Sequence, residues 1–257
     1  MIKAIFFDVD GTLVSHKTKQ VSESTRKCIE QLKEKGIRLY LCTGRHIQEL
    51  QKLPVCDIEF DGYVTINGQL CLDGEKNYLY GTPFSDEAAK KLGSLFREKR
   101  FPLVLVEEKL LHINFVDEAA KRALKEVSTE APPVAEYEGM PIYQATAFFT
   151  REEEHLLEKV VPEGCKMLRW SDHGVDLVSA QGGKVEGMKF VLERFGFTPE
   201  EILAFGDAEN DIEMLKFAGT GVAMGNAKEA VKAAADYITE DIDEGGIEKA
   251  LKYFGMI

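Results

Sequence analysis

The chain has 257 residues, is 44% hydrophobic and 30% charged, and sets 44 acidic against 32 basic side chains for a formal net charge of -12. That length supports one large core or two modest ones, and the acidity disfavours nucleic acid polymers and anionic membranes as partners while leaving room for a local anion site. The five cysteines (Cys28, Cys42, Cys56, Cys71, Cys165) are odd in number and lack a CxxC pair, and the N-terminus meets acid within eight residues, so neither a disulfide framework, a zinc cluster, a signal peptide nor a membrane span is expected, and the predicted location is cytoplasmic.

In chain order, IKAIFF (2–7) is a short apolar run of the kind buried on both faces in a parallel sheet. SESTRKCIEQLKEKG (22–36) predicts a helix with Ser22 as N-cap and Gly36 as stop, and IRLYLC (37–42) a second buried strand. This strand–helix–strand opening is the crossover unit of a doubly wound α/β fold. A short helix is predicted near 46–53. YVTI, QLCL and NYLY follow as short strands, with turns at Gly68 and Gly74.

From about residue 82 the rhythm changes. Helices are predicted at 85–100, 116–130 and 151–160, and strands at PLVLVE, LHINFV, PIYQATAFFT, MLRW and GVDLVS, with a loop over 132–141. This clustering predicts an α+β module over 82–181. The α/β rhythm returns with GKVEGMKFVLERFG, ILAFGD, NDIEMLKFAG, TGVAM, NAKEAVKAAAD and GGIEKALKYF. The predicted fold class is therefore α/β, a doubly wound parallel-sheet (Rossmann-like) core of 1–81 plus 182–257 with the α+β module inserted.

Four places in the core carry chemistry. Asp8 and Asp10 stand at the carboxyl end of the first strand, in FFDVDGTL, where ligands bind in open α/β sheets. Two carboxylates held close repel one another, which invites a hard cation such as magnesium. Asp and Gly are also ordinary turn residues. Thr43, after LYLC, holds the matching position in the second strand and with the following N–H groups suits a phosphate oxygen or a helix cap. Lys184 follows two glycines and offers a point charge to an anion, or to solvent. Asp207, Asn210 and Asp211 follow ILAF in GDAEND, where acids would also suit a helix N-terminus. Jointly, three strand ends of one sheet present acids or a hydroxyl, with a lysine on a nearby helix.

DVDGT, the threonine after a second strand, a lone lysine and GDxxND resemble the four ordered motifs of the haloacid dehalogenase superfamily of phosphatases. TINGQ, GVAMGNA, the ADYIT…EGGI ending and an insertion between the second and third motifs, of the kind called a C2 cap, resemble its Cof-like subfamily. The resemblance implies a magnesium-dependent hydrolase of small phosphate monoesters: sugar phosphates, nucleotides or phosphorylated cofactors. It implies Asp8 as nucleophile, forming an aspartyl-phosphate, and Asp10 as acid and then base. It implies magnesium on Asp8, the Asp10 carbonyl, Asp207 and Asp211, the last directly, through water, or holding Lys184. Thr43, Gly44, Lys184 and Asn210 are implied phosphate ligands. Arg45 is a candidate substrate contact, with His112, Arg169, Trp170 and His173 weaker candidates in the insertion, which is expected to act as a lid.

Within the superfamily, Asp10 argues against a dehalogenase, since halide leaves without a proton. A phosphomutase would share the motifs. A non-catalytic phosphate-binding module would retain the fold without turnover. A dinucleotide binder is disfavoured because no GxGxxG follows the first strand.

Overall fold

Four consecutive buried residues, Ala4–Phe7, form the first strand, β1, in the computed structural model, which describes residues 1–127 and 129–257. It is followed by α1 (Glu23–Glu34), β2 (Arg38–Cys42), α2 (Ile47–Leu50), β3 (Gly62–Thr65), β4 (Leu70–Asp73) and β5 (Tyr78–Gly81). Then come α3 (Asp86–Glu98), β6 (Leu103–Val106), β7 (Leu111–Ile113), α4 (Glu118–Glu126), β8 (Gln144–Ala147), α5 (Glu154–Glu158), β9 (Cys165–Arg169) and β10 (Val175–Ser179). The chain closes through α6 (Lys184–Phe195), β11 (Ile202–Gly206), α7 (Ile212–Phe217), β12 (Thr220–Ala223), α8 (Glu229–Lys232), β13 (Tyr237–Ile238) and α9 (Gly246–Tyr253). Two units result: Met1–Tyr80 with Lys184–Ile257, and Gly81–Gly183.

The first unit is built on an eight-stranded sheet in the order β13-β12-β11-β1-β2-β3-β4-β5. β13 through β3 run parallel, and β4 is antiparallel to β3. Successive side chains alternate between faces. Phe6 stacks on Tyr40 at 4.9 Å and Phe7 on Phe205 at 5.2 Å. The Phe6 face packs on α6 and α7 through Met188, Leu192, Met214 and Leu215. α1 packs on β2 and α9. Its N-terminus is capped by Ser22, whose hydroxyl accepts from the Thr25 N–H, and Gly36 follows it at φ +74°. With both faces covered, the central strands are unbroken apolar runs. β1 has β2 on one side and β11 on the other, so strand order reverses at β1. The crevice beyond its carboxyl end is where such sheets bind ligands.

The second unit holds a five-stranded antiparallel sheet, β7-β6-β8-β10-β9. Leu105, Ala145 and Leu177 on one face bury Leu92 and Phe96 of α3 and Leu157 of α5. Here Arg169 is 7% exposed and fully engaged: it donates to Glu154 and to the carbonyls of Phe149, Thr150 and Ser171. His112 packs edge-on against Phe96, and His173 Nδ1 lies 2.6 Å from Glu126.

Several elements differ from the periodicity. The helix expected over 226–236 contracts to α8, because the chain turns back to add β13 as an edge strand, Val222 opposite Tyr237. Two residues are too few to show a strand period. The helix expected after ILAFGD begins as a 3-10 turn, Glu209–Asp211, before α7. The helix expected over 116–130 runs as α4, and Ser128 lies outside the described residues. Among the described residues, no helix is long and apolar enough to cross a membrane.

Candidate active site

Asp8 is the first residue beyond β1. Its N–H continues the ladder by donating to the Phe205 carbonyl at 3.0 Å, which fixes where the carboxylate stands. Lys184, the first residue of α6, is 2% exposed and donates from Nζ to Asp8 Oδ1 and to Asp211 Oδ1, each at 2.6 Å. Asp211 is fully buried, and its Oδ2 accepts from the N–H groups of Asp207 and Ala208, each at 3.0 Å. Asp207 Oδ1 accepts from the Thr12 hydroxyl at 2.8 Å. One oxygen from each of Asp8, Asp207 and Asp211 lies within 4.8 Å of the others. Gly11 makes this approach sterically feasible. It holds φ +85°, and a Cβ there would sit 2.3 Å from Asp207 Oδ2. Asn226 anchors the same turn by donating to the Gly11 carbonyl at 2.8 Å.

Asp10 and Thr43 border this cluster through one arginine. Arg45 grips Asp10 with two hydrogen bonds, Nε to Oδ2 at 2.6 Å and Nη2 to Oδ1 at 2.8 Å, and its Nη1 lies 3.7 Å from Glu49. Thr43 is buried, and its hydroxyl accepts from the Arg45 N–H at 3.2 Å. Asn210 donates from Nδ2 to Asn67 Oδ1 at 3.1 Å. The structure thus brings Asp8, Lys184, Asp207 and Asp211 into direct contact or near it, while Arg45 is occupied by Asp10.

Burial pushes the Asp8 carboxyl up to about 7, with the Asp211 charge adding to the rise and Lys184 opposing it. Asp207 is likewise pushed well above the usual carboxylate range by burial and by Asp8 and Asp211. Burial acts upward on Asp10 too, but the Arg45 guanidinium overrides it and holds that carboxyl below its ordinary value.

Buried Asp8 and Asp211 therefore share one ammonium with half-buried Asp207 beside them, a deficit of two charges across the cluster that one divalent cation closes. All the donors are carboxylate oxygens, the chemistry that magnesium-like cations select, so the residues present fit such an ion.

A pH prediction follows for the metal-free protein. Between pH 4 and 7 the folded state retains a proton on Asp8 that the unfolded chain has released, and the raised Asp207 carboxyl acts in the same direction. Stability must fall as pH rises through that window. Chelator-treated wild type is expected to melt below Asp8→Asn at pH 8, by the equivalent of on the order of 2 kcal/mol. The two melting curves should converge near pH 4. A gap that does not change with pH would contradict the assignment.

Three residues that shape the site have no role assigned from sequence alone. Thr12 and Asn226 bind by single hydrogen bonds across about 200 residues of chain, which no local pattern reveals. Asn67 lies in TINGQ, which stands out only through family resemblance.

A family model of the haloacid dehalogenase-like hydrolases matches residues 5–251. The chain belongs to that family and is a hydrolase of the phosphoric monoester type. It is 33% identical over 258 residues to YkrA of Bacillus subtilis (strain 168), covering 99% of this chain and 98% of YkrA. It is similar to a solved member of a phosphoryl-transfer superfamily described as conserving a trigonal-bipyramidal intermediate, with 37% identity, a TM-score of 0.90 and 100% of each chain covered. It is also similar to the subclass IIB sugar phosphatase BT4131, with 37% identity and a TM-score of 0.88 over 99% of this chain and 100% of that one.

Proposed function

We propose that the chain is a cytoplasmic, magnesium-dependent phosphatase of small phosphate monoesters, of the Cof-like subfamily with a C2-type cap, working through an aspartyl-phosphate on Asp8. One observation carries this reading: the buried Asp8–Lys184–Asp211 chain, with Asp207 beside it, at the carboxyl edge of the sheet.

Lys184 holds Oδ1 of Asp8, which leaves Oδ2 to attack phosphorus. The new Oδ2–P bond forms as the P–O bond to the leaving alcohol breaks, and Asp10 protonates the departing oxygen. Water then attacks phosphorus, Asp10 takes its proton, and the Asp8–phosphorus bond breaks to release phosphate. Asp8, Asp207 and the Asp10 carbonyl would hold magnesium, with Asp211 a ligand directly, through water, or as the group that holds Lys184, and the ion would supply charge neutralisation between the carboxylate and the phosphoryl group. Lys184, Asn210, Thr43 and the Gly44 N–H bind the phosphoryl oxygens and stabilise charge in the transition state.

The Arg45 grip gives Asp10 its charged form, the one that accepts a proton from water. The acid half of the cycle needs the other form, and a dianionic phosphate arriving beside Asp10 raises its proton affinity in the required direction. Arg45 then serves Asp10 as well as, or in place of, the substrate.

The substrate class is tested by measuring phosphate release from a panel of phosphorylated sugars, nucleotides and cofactors, with magnesium and with chelator. The expected result is turnover that chelator abolishes and magnesium restores. Sugar phosphates stand first in the expected ranking, a choice supported by the similarity to a sugar phosphatase. Absence of turnover across the panel, in folded and metal-loaded protein, would overturn the reading.

A further inference from the structure

The motif TINGQ is not used by the chemistry above, yet it makes the most unusual backbone near the site. Ile66, Asn67 and Gly68 are consecutive residues at φ +53°, +51° and +84°. Asparagine and glycine tolerate the left-handed region, but a β-branched isoleucine there is a genuine outlier. All three are buried, so solvent does not relieve the conformation. Such residues persist only where the surroundings impose them, and they cluster at functional sites.

The surroundings here are the phosphate-binding segments themselves. The Asn67 N–H donates to the Thr43 carbonyl at 2.9 Å, and the Ile66 N–H donates to the Arg45 carbonyl at 3.1 Å. The Thr43 N–H donates to the Val64 carbonyl at 2.9 Å, so the loop after β2 is held on both sides of Gly44. The Asn67 amide lies 3.1–3.2 Å from the point where a Cβ on Gly44 would stand. Its Oδ1 accepts from Asn210 Nδ2 at 3.1 Å. Gly68 Cα lies 3.0 Å from the point where a Cβ on Gly187 would stand, in α6, the helix that begins with Lys184. One buried turn therefore touches the segments that carry Thr43 and Gly44, Asn210, and Lys184.

We infer that the left-handed turn Ile66–Asn67–Gly68 is a positioning element for the phosphoryl group, with Asn67 as its working side chain. Asn67 Oδ1 takes one Nδ2–H of Asn210 and so orients that amide, presenting its second N–H to a phosphoryl oxygen. The same turn fixes the backbone N–H groups around Gly44. The inference rests on the reading of Asn210 and the Thr43–Gly44 loop as phosphate ligands.

The test is a double-mutant cycle in the magnesium-loaded enzyme. Asn67→Gly suits the left-handed backbone and removes only the side chain. The readouts are the inhibition constant of orthovanadate, kcat and KM for p-nitrophenyl phosphate, and the melting temperature. Asn67→Gly is expected to weaken vanadate inhibition by about 10-fold, within the range that a small misplacement of a binding group costs, with the melting temperature held within a few degrees. Asn210→Ala is expected to do the same, and the double variant to be no worse than Asn210→Ala alone. Gly44→Ala supplies a second route, because its methyl group would press on the Asn67 amide, which must give by a few tenths of an ångström. It should weaken vanadate inhibition in wild type and add nothing in Asn67→Gly. If Asn67→Gly leaves vanadate inhibition intact while Asn210→Ala weakens it, or if the two losses multiply, the positioning role is wrong. If Asn210→Ala itself changes nothing, the phosphate-ligand reading has failed and the inference falls with it.

Discussion

Asp8→Asn is expected to reduce phosphate release by at least about 10⁴-fold, the scale on which removal of a covalent nucleophile is measured. The amide keeps the shape of the carboxylate and can still meet Lys184, so folding is preserved; only the attacking oxygen anion is lost. The measurement is steady-state phosphate release beside circular dichroism and a melting curve. Asp8→Ala serves as a control, because it cannot regain a carboxylate by deamidation. Turnover within 10-fold of wild type in both variants would remove Asp8 from the chemistry. The same substitution separates chemistry from stability. By relieving repulsion among Asp8, Asp207 and Asp211, it should kill activity and raise the metal-free melting temperature together, the trade-off expected where an active site holds like charges against their preference.

Lys184→Met is the second large effect, and it has the opposite sign for stability. Lys184 is 2% exposed and is the ammonium shared by Asp8 and Asp211. Methionine fills similar volume without charge, so the loss is electrostatic rather than a cavity. Removing one partner of a buried ion pair costs about 3–5 kcal/mol, and for a chain of this size that corresponds to a melting temperature lower by on the order of 10 °C. Part of the loss should return with magnesium, and part with acidic pH as the orphaned carboxylates take up protons. On the proposed mechanism activity should fall by at least about 10³-fold, because the buried charge proposed to meet the phosphoryl oxygens is lost. In the double variant Asp8→Asn/Lys184→Met the stability loss should be smaller than in Lys184→Met alone. Equal losses would show that Lys184 is held by packing and not by its carboxylates.

The central strands are legible in the sequence for a physical reason. AIFF, LYLC and ILAF are buried on both faces, so they appear as unbroken apolar runs. Acids and a threonine placed directly after such runs stand at the carboxyl edge of one sheet, which is a matter of covalent order and strand direction. What depends on three-dimensional return of the chain is not legible. The two-residue strand β13 has no period to detect. The Thr12–Asp207, Asn226–Gly11 and Asn210–Asn67 bonds join residues 195, 215 and 143 positions apart. Arg45 shows the limit well. Its place next to Thr43 marks it as polar and near the site, but its two bonds to Asp10 follow from how two loops are brought together.

The position of β1 also sets an order of events in synthesis. β1 pairs with β2, about 35 residues later, and with β11, Ala4 opposite Ile202, about 200 residues later. At the ribosome's roughly 5–20 residues per second, β1 waits some 10–40 s for its second neighbour. In that interval the unit Gly81–Gly183, contiguous in the chain, is made entire. The first strand to emerge therefore spends that time as a temporary edge, its far row of N–H and carbonyl groups unpaired and its phenylalanines only half covered, a state that natural proteins otherwise guard against aggregation. Assembly of the candidate site waits with it, since Lys184, Asp207 and Asp211 all lie beyond the insertion. The nascent chain can complete a five-stranded sheet of its own long before it holds a single carboxylate cluster.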